Sequence, residues 1–147
     1  MPERKVHAQK LVQAPASRIF DVLADPRNHA RLSGDGSVRD AHPGNPERLS
    51  HGAVFRMRVH MVIPYWITNE VVLFEENRAI AWKHYAGHTW RWTLDPRGQE
   101  SCLVTETFDY STTLTPNLFA AARVPRRNLR NMEQTLARLA KWTEEAR

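Results

Sequence analysis

The chain has 147 residues, 41% of them hydrophobic, with a formal charge of +5 from 21 Lys and Arg against 16 Asp and Glu. That length suits one domain, taken here as residues 1–147, and can bury a core without disulfides or metals. Cys102 has no partner in the chain, no stretch approaches the ~18 apolar residues of a membrane span, and the charged start lacks a leader's apolar run, so a cytoplasmic protein is expected.

Val6, Ala8 and Val12, at even spacing, make residues 5–13 a half-buried strand. Ala14-Pro15-Ala16-Ser17 then opens a helix with Ile19, Phe20 and Leu23 on one face. Asp25-Pro26 closes it, because the residue before proline is pushed out of the helical region. A second short helix is expected over 27–32, a turn at Ser33-Gly34-Asp35-Gly36 and a strand over 37–41. Residues 42–52, broken by Pro43, Gly44, Asn45, Pro46 and Gly52, read as a loop over one end of the sheet. Phe55, Met57, Val59 and Met61 alternate with Arg56, Arg58 and His60, giving a strand with one apolar and one basic face. Ile63-Pro64-Tyr65-Trp66 is expected to turn, leading into a strand over 67–75 whose run Val71-Val72-Leu73-Phe74 leaves its faces unassigned.

Ile80, Trp82 and His84 share a face of the next strand, and Tyr85-Ala86-Gly87 turns it into Trp90, Trp92 and Leu94. After Pro96-Arg97-Gly98 a further strand sets Val104, Glu106, Phe108 and Tyr110 on one side. Past Pro125, Leu129, Met132, Leu136 and Leu139 recur at helical spacing, with Arg126, Arg130, Arg138 and Lys141 largely opposite. Strands in a run with helices grouped around them are the α+β pattern: a curved antiparallel sheet of about seven strands, two short helices after the first, and a long C-terminal helix. The apolar stripe of that helix and the apolar face of the sheet must cover one another, and a pocket can form between them.

The segments Ala14-Pro15-Ala16, Ile19-Phe20 and Leu23-Ala24-Asp25-Pro26 resemble the opening of the START-like (helix-grip, SRPBCC) superfamily. Ile80-Ala81-Trp82, Trp90-Arg91-Trp92-Thr93-Leu94 and Val104-Thr105-Glu106-Thr107-Phe108 are similar to its polyketide cyclase/dehydrase and lipid-transport branch. The resemblance spans almost the whole chain and implies a helix-grip fold, with a cavity between the concave sheet face and the C-terminal helix. It also implies an entrance near residues 63–66, 85–87 and 111–117, which places Tyr65, Trp66, Tyr85 and Phe119 at the mouth. Binders, carriers, cyclases and regulators share this scaffold, so the resemblance specifies fold more sharply than function.

In such a cavity Phe55, Met57, Val59 and Trp82 would line one side and Trp90, Trp92 and Phe108 another, with Met132 and Leu136 on the helix; ordinary core packing is the alternative for each. A turn at 85–87 brings His84 and His88 face to face, and a hairpin around Arg97-Gly98-Gln99 sets Glu106 opposite Trp90, diagonal to His88. His84, His88, Glu106 and Tyr110 are therefore the candidates for acid/base catalysis, against solvated turn histidines as the plainer account. Glu106 between Val104 and Phe108 is costly to bury alone: it meets His88, an arginine or a ligand hydroxyl, or it faces outward. No Cys/His metal spacing, phosphate-cradling glycine loop or Ser-His-Asp signature occurs, so no metal or cofactor is expected.

Three functions follow in order. The first is binding of a hydrophobic small molecule, such as a lipid, a quinone or a polyketide-like compound. The second is a polyketide cyclase or aromatase using polar groups in the same cavity. The third is a basic surface module touching RNA, a ribosome or a protein through Arg123, Arg126, Arg127 and Arg130, where a solvated helix face is the simpler explanation and nucleic acid is disfavoured. Monomer and homodimer both stay open.

Overall fold

The structure is a computed structural model, and it describes residues 4–60, 62–113, 117 and 123–145. The elements run β1 (Lys5–Val12), α1 (Ala16–Ala24), a 3-10 turn (Pro26–Asn28), α2 (His29–Leu32), β2 (Val38–Ala41), β3 (Val54–His60), β4 (Pro64–Glu75), β5 (Ala79–His84), β6 (Thr89–Pro96), β7 (Cys102–Asp109) and a long helix, α3 (Val124–Glu145). The strands make one antiparallel sheet in the order β1-β7-β6-β5-β4-β3-β2. Short turns join β3 through β7 as a meander, while the two short helices carry the chain from one edge strand, β1, to the other, β2. This is the helix-grip α+β fold.

Local chemistry sets the junctions. The Pro15 carbonyl accepts from Arg18 and Ile19 at 3.1 and 3.2 Å, starting α1, whose Ile19, Phe20, Leu23 and Ala24 are buried. Asp25 then leaves the helical region at φ −102°, and its carboxylate accepts the Arg27 N–H at 2.9 Å, capping the next turn. The expected second helix thus begins as a 3-10 turn and becomes α only at His29. Gly34 lies where no larger residue fits, since a Cβ there would collide with the backbone carbonyl of Asn131. That close approach lets Thr135 Oγ1 accept from the Gly34 N–H at 3.0 Å and Asn131 Oδ1 accept from the Asp35 N–H at 2.9 Å. The turn after α2 is pinned on α3.

In β3 the alternation holds, with Phe55, Met57 and Val59 buried and Arg56 and Arg58 exposed; Met61 lies outside the described residues. The expected turn at 63–66 is corrected: β4 already starts at Pro64, with Tyr65 paired to Val59 and Trp66 to Arg58. Proline is tolerated there because the first residue of a strand can do without its N–H. The unreadable faces of β4 also have a cause. Its register to β5 shifts between Val71 and Leu73, so Val71 pairs Trp82 and Phe74 pairs Ile80 on one face, with Val72 as the extra residue. A bulge flips the alternation in mid-strand, so no period-two reading can span it.

α1 packs under one end of the sheet, where Phe20 meets Phe74 edge-on at 5.3 Å between ring centroids. Met132, Leu136, Leu139 and Ala140 of α3 join this core with Val12, Val104 and Cys102. The core closes that end. The other end stays hollow.

Candidate functional site

A cavity of about 440 Å³ lies between the concave sheet face and α3, within the range that suits drug-sized ligands. Its sheet wall is aromatic. Trp82 pairs with Trp90, and Trp90 with Phe108, so three large rings sit side by side across β5, β6 and β7. Phe55, Met57, Val59 and Trp92 extend this wall. The helix wall is different. Arg127, Asn128, Asn131 and Thr135 line it at helical spacing, with Val124 at the end of α3. The hollow is therefore greasy on one side and polar on the other.

Met132 and Leu136 are correspondingly placed elsewhere: both are buried in the core and neither lines the hollow. They point one stripe away on α3, toward the sheet's closed end. Trp66 also lies off the cavity, because strand alternation turns it outward once Tyr65 faces in; it sits against His42, ring centroids 5.3 Å apart. Tyr65 does line the cavity, whereas Tyr85 is 73% exposed and does not. Phe119 lies outside the described residues, as do residues 114–116 of the expected entrance loop at 111–117.

Glu106 faces inward, 5% exposed, but opposite Trp92 rather than Trp90. The β6–β7 loop is longer than expected, spanning 97–101 and closed by the Arg97 N–H on the Ser101 carbonyl at 2.9 Å. The offset is two residues, so the facing survives. Its Oε2 is buried without a hydrogen-bond partner, and burial pushes its carboxyl well above the ordinary 4.5. Asn69, 4% exposed and paired with Phe55 on one side and His84 on the other, also leaves Oδ1 buried and unpartnered. Both residues line the cavity.

His84 and His88 stack at 4.3 Å between centroids, 18° between planes. The Ala86 N–H donates to His84 Nδ1 at 3.0 Å, which leaves the proton of the neutral ring on Nε2. Burial lowers the pKa of His84; burial and then the charge of His84 lower that of His88 to about 4. Both imidazoles are thus neutral near pH 7. No hydrogen bond joins Glu106 to either of them. Tyr110 is buried against Phe108, rings 5.8 Å apart, and is not part of the lining. The expected trio is therefore a histidine pair at one part of the wall and a separate carboxyl at another.

Sequence reasoning missed His29 and Asn69. His29 Nε2 donates to the Leu23 carbonyl at 2.9 Å, and its ring stacks on Trp82 at 4.9 Å. Burial lowers its pKa, against the raising effects of the Leu23 bond and of Asp25, so the neutral ring presents Nδ1 as an acceptor. Asn69 was legible in principle: counting by twos from Tyr65 through Ile67 reaches it, once β4 is known to start at Pro64. His29 carried no such signal, because a four-residue helix has no readable face. Among the described residues no group of three His, Cys, Asp or Glu is placed to hold a metal ion.

A second hollow, about 490 Å³, lies on the convex face beside Lys5, His7 and Arg91. These side chains are exposed and already solvated. Nothing there is buried at a cost that a ligand would relieve.

A sheet gripping one long helix around an amphipathic hollow defines a ligand-binding protein of the helix-grip class. The chain belongs to the polyketide cyclase / dehydrase and lipid transport family, which it matches over residues 3–144. It is 40% identical over 103 residues to the uncharacterized protein Rv0088 of Mycobacterium tuberculosis, a match covering 67% of this chain and 44% of that protein. The chain thus matches less than half the length of that relative. Among solved structures it is similar to a START superfamily protein of Mycobacterium smegmatis, with a TM-score of 0.75 at 16% identity over 97% of this chain and 99% of that one. It is also similar to the Zhui aromatase/cyclase of Streptomyces sp. R1128, with a TM-score of 0.67 at 20% identity over 92% and 93% of the two chains. At those identities the structural likeness speaks for the fold.

Proposed function

We propose that the cavity binds a planar hydrophobic molecule bearing hydroxyl or carbonyl groups, a polyketide-like or quinone-like ring system in preference to a plain acyl chain. The observation that carries this reading is the pair of orphaned polar atoms, Glu106 Oε2 and Asn69 Oδ1, in a wall built largely of aromatic and aliphatic side chains. A buried polar group without a partner costs about 1–3 kcal/mol, and a ligand group that bonds it recovers that cost on binding. A saturated chain offers neither atom a partner. Flat rings suit Trp82, Trp90 and Phe108, and polar substituents on the far side would meet Arg127 and Asn128.

The test is a titration followed by tryptophan fluorescence, using 2-naphthol, naphthalene and myristate as probes. Saturable binding of 2-naphthol, tighter than naphthalene by about tenfold, supports the reading. Equal affinity for the two rings, or preference for myristate, would count against it.

A second reading is catalysis on the same class of molecule, as a cyclase or aromatase. It is favoured by the coexistence of a carboxyl whose protonated form burial favours with imidazoles whose neutral form it favours, since an acid and bases of opposite readiness are what proton movement needs. In this reading Glu106 donates a proton to a ligand carbonyl, and His84 or His88 accepts one from a neighbouring carbon or hydroxyl. Glu106→Gln would then abolish turnover of a poly-β-carbonyl chain while leaving 2-naphthol bound.

A further inference from the structure

The hairpin between β3 and β4 exposes more apolar surface than a solvated turn requires. Val62 is 94% exposed, Ile63 66% and Trp66 47%, and Tyr65 at 41% connects this tip to the cavity wall. Tyr85, 73% exposed, follows Asn69's partner His84 at the end of β5, beside β4. Large apolar side chains usually stand alone on a protein surface; a contiguous group at a protruding tip needs an explanation.

The surroundings of the tip are cationic. Residues 54–69 contain Arg56 and Arg58 and no Asp or Glu. Residues 110–132 contain Arg123, Arg126, Arg127 and Arg130 and again no acid. Both stretches border the same cavity, which Val124 and Arg127 of α3 line together with Tyr65 and Val59 beside the tip. Arg58 is paired with Asp40, but Arg56, Arg126 and Arg127 are exposed, with no ion pair among the described residues. An aliphatic point, flanked by Trp and Tyr and backed by arginines, matches the layers of an anionic bilayer surface: acyl region, interface and headgroups.

We propose that the Val62–Ile63 tip inserts into an anionic lipid surface, with Trp66 and Tyr85 at the interface and the arginines of β3 and α3 against the headgroups. The cavity would then open toward the membrane, so a hydrophobic ligand could pass between lipid and protein without crossing water. Docking rests on the exposed tip and the arginines around it, some of which also line the cavity, and does not depend on which ligand the cavity holds. An acidic protein surface is the competing partner, and the test separates it.

The experiment is co-sedimentation with vesicles of phosphatidylcholine alone and of phosphatidylcholine with about one-third phosphatidylglycerol, at low and high salt. The full chain is compared with a Val62→Asp/Ile63→Asp variant whose circular dichroism and 2-naphthol titration are checked alongside. The expected result is binding to the anionic vesicles only, weakened by salt, and reduced at least about tenfold in the variant, with 2-naphthol binding unchanged. Two outcomes overturn the proposal. Absence of binding to anionic vesicles at low salt assigns the patch to a protein partner, and equal binding by the variant shows that the arginines act without insertion. Loss of 2-naphthol binding by the parent chain would sink the cavity reading and leave docking standing.

Discussion

His29 lies flat on Trp82, ring centroids 4.9 Å apart and 23° between planes, while Phe55 meets both rings edge-on. One imidazole thus ties α2 to the aromatic wall and, through its Nε2–H on the Leu23 carbonyl, to the end of α1. His29→Ala should cost about 2 kcal/mol in urea unfolding, from a lost buried bond and lost ring contact. His29→Gln, which can still donate to Leu23, should recover part of it.

Glu106 makes a distinct prediction about pH. Its folded-state pKa is raised, so the protonated carboxyl is the form that the fold prefers. The stability this confers is fully present below the ordinary 4.5 and is lost as pH rises through the folded value. Glu106→Gln stays neutral throughout. Melting curves of the two proteins should run together in acid and separate as pH rises, with the variant the more stable by about 1–3 kcal/mol on the alkaline side. Parallel curves would mean that Glu106 has a partner in solution.

The histidine pair predicts the opposite limb. His88 titrates near 4 rather than 6.5, so the stability of its neutral form is complete above 6.5 and is lost as pH falls toward about 4. Carbon-bound imidazole proton shifts followed by NMR should show His88 unprotonated through pH 5, where an ordinary surface histidine is already charged. His88→Gln should flatten the acid limb of the melting curve, because the variant no longer titrates there.

Much of this architecture was open to reading along the chain. Period-two alternation in β3, β6 and β7 and the stripe Met132, Leu136, Leu139 in α3 specify which faces meet. Inward placement of Glu106 was readable too, even though its cross-strand neighbour was off by two, since an even slip keeps every side chain on its face. What escaped was set by irregular backbone. The bulge at Val72 hid the faces of β4, and the early start at Pro64 hid Asn69 and turned Trp66 outward. The polar stripe of α3 escaped for another reason: Arg127, Asn128 and Asn131 look like a solvated face, and only the loop folded over by Gly34 shows that this face roofs a hollow.

Asn69 gives the most discriminating variant. Replacing its orphaned amide with a leucine of similar size should raise stability by about 1 kcal/mol, since a buried unpaired oxygen disappears. The same change should cost binding of hydroxylated rings about tenfold relative to their unsubstituted parents. Calorimetric unfolding and fluorescence titration of the Asn69→Leu protein check both halves, and a gain in stability without loss of selectivity would remove Asn69 from the ligand site.

The most direct measurement is an isotope-filtered NOE experiment on the protein saturated with 2-naphthol. Occupation of the hollow predicts cross-peaks from the naphthol ring protons to Trp90, Trp92 and Phe108, with the hydroxyl-bearing ring nearest Glu106 or Asn69. Cross-peaks confined to exposed residues such as Tyr85 and Trp66, or none at all at saturation, would contradict a ligand held between the sheet and the long helix.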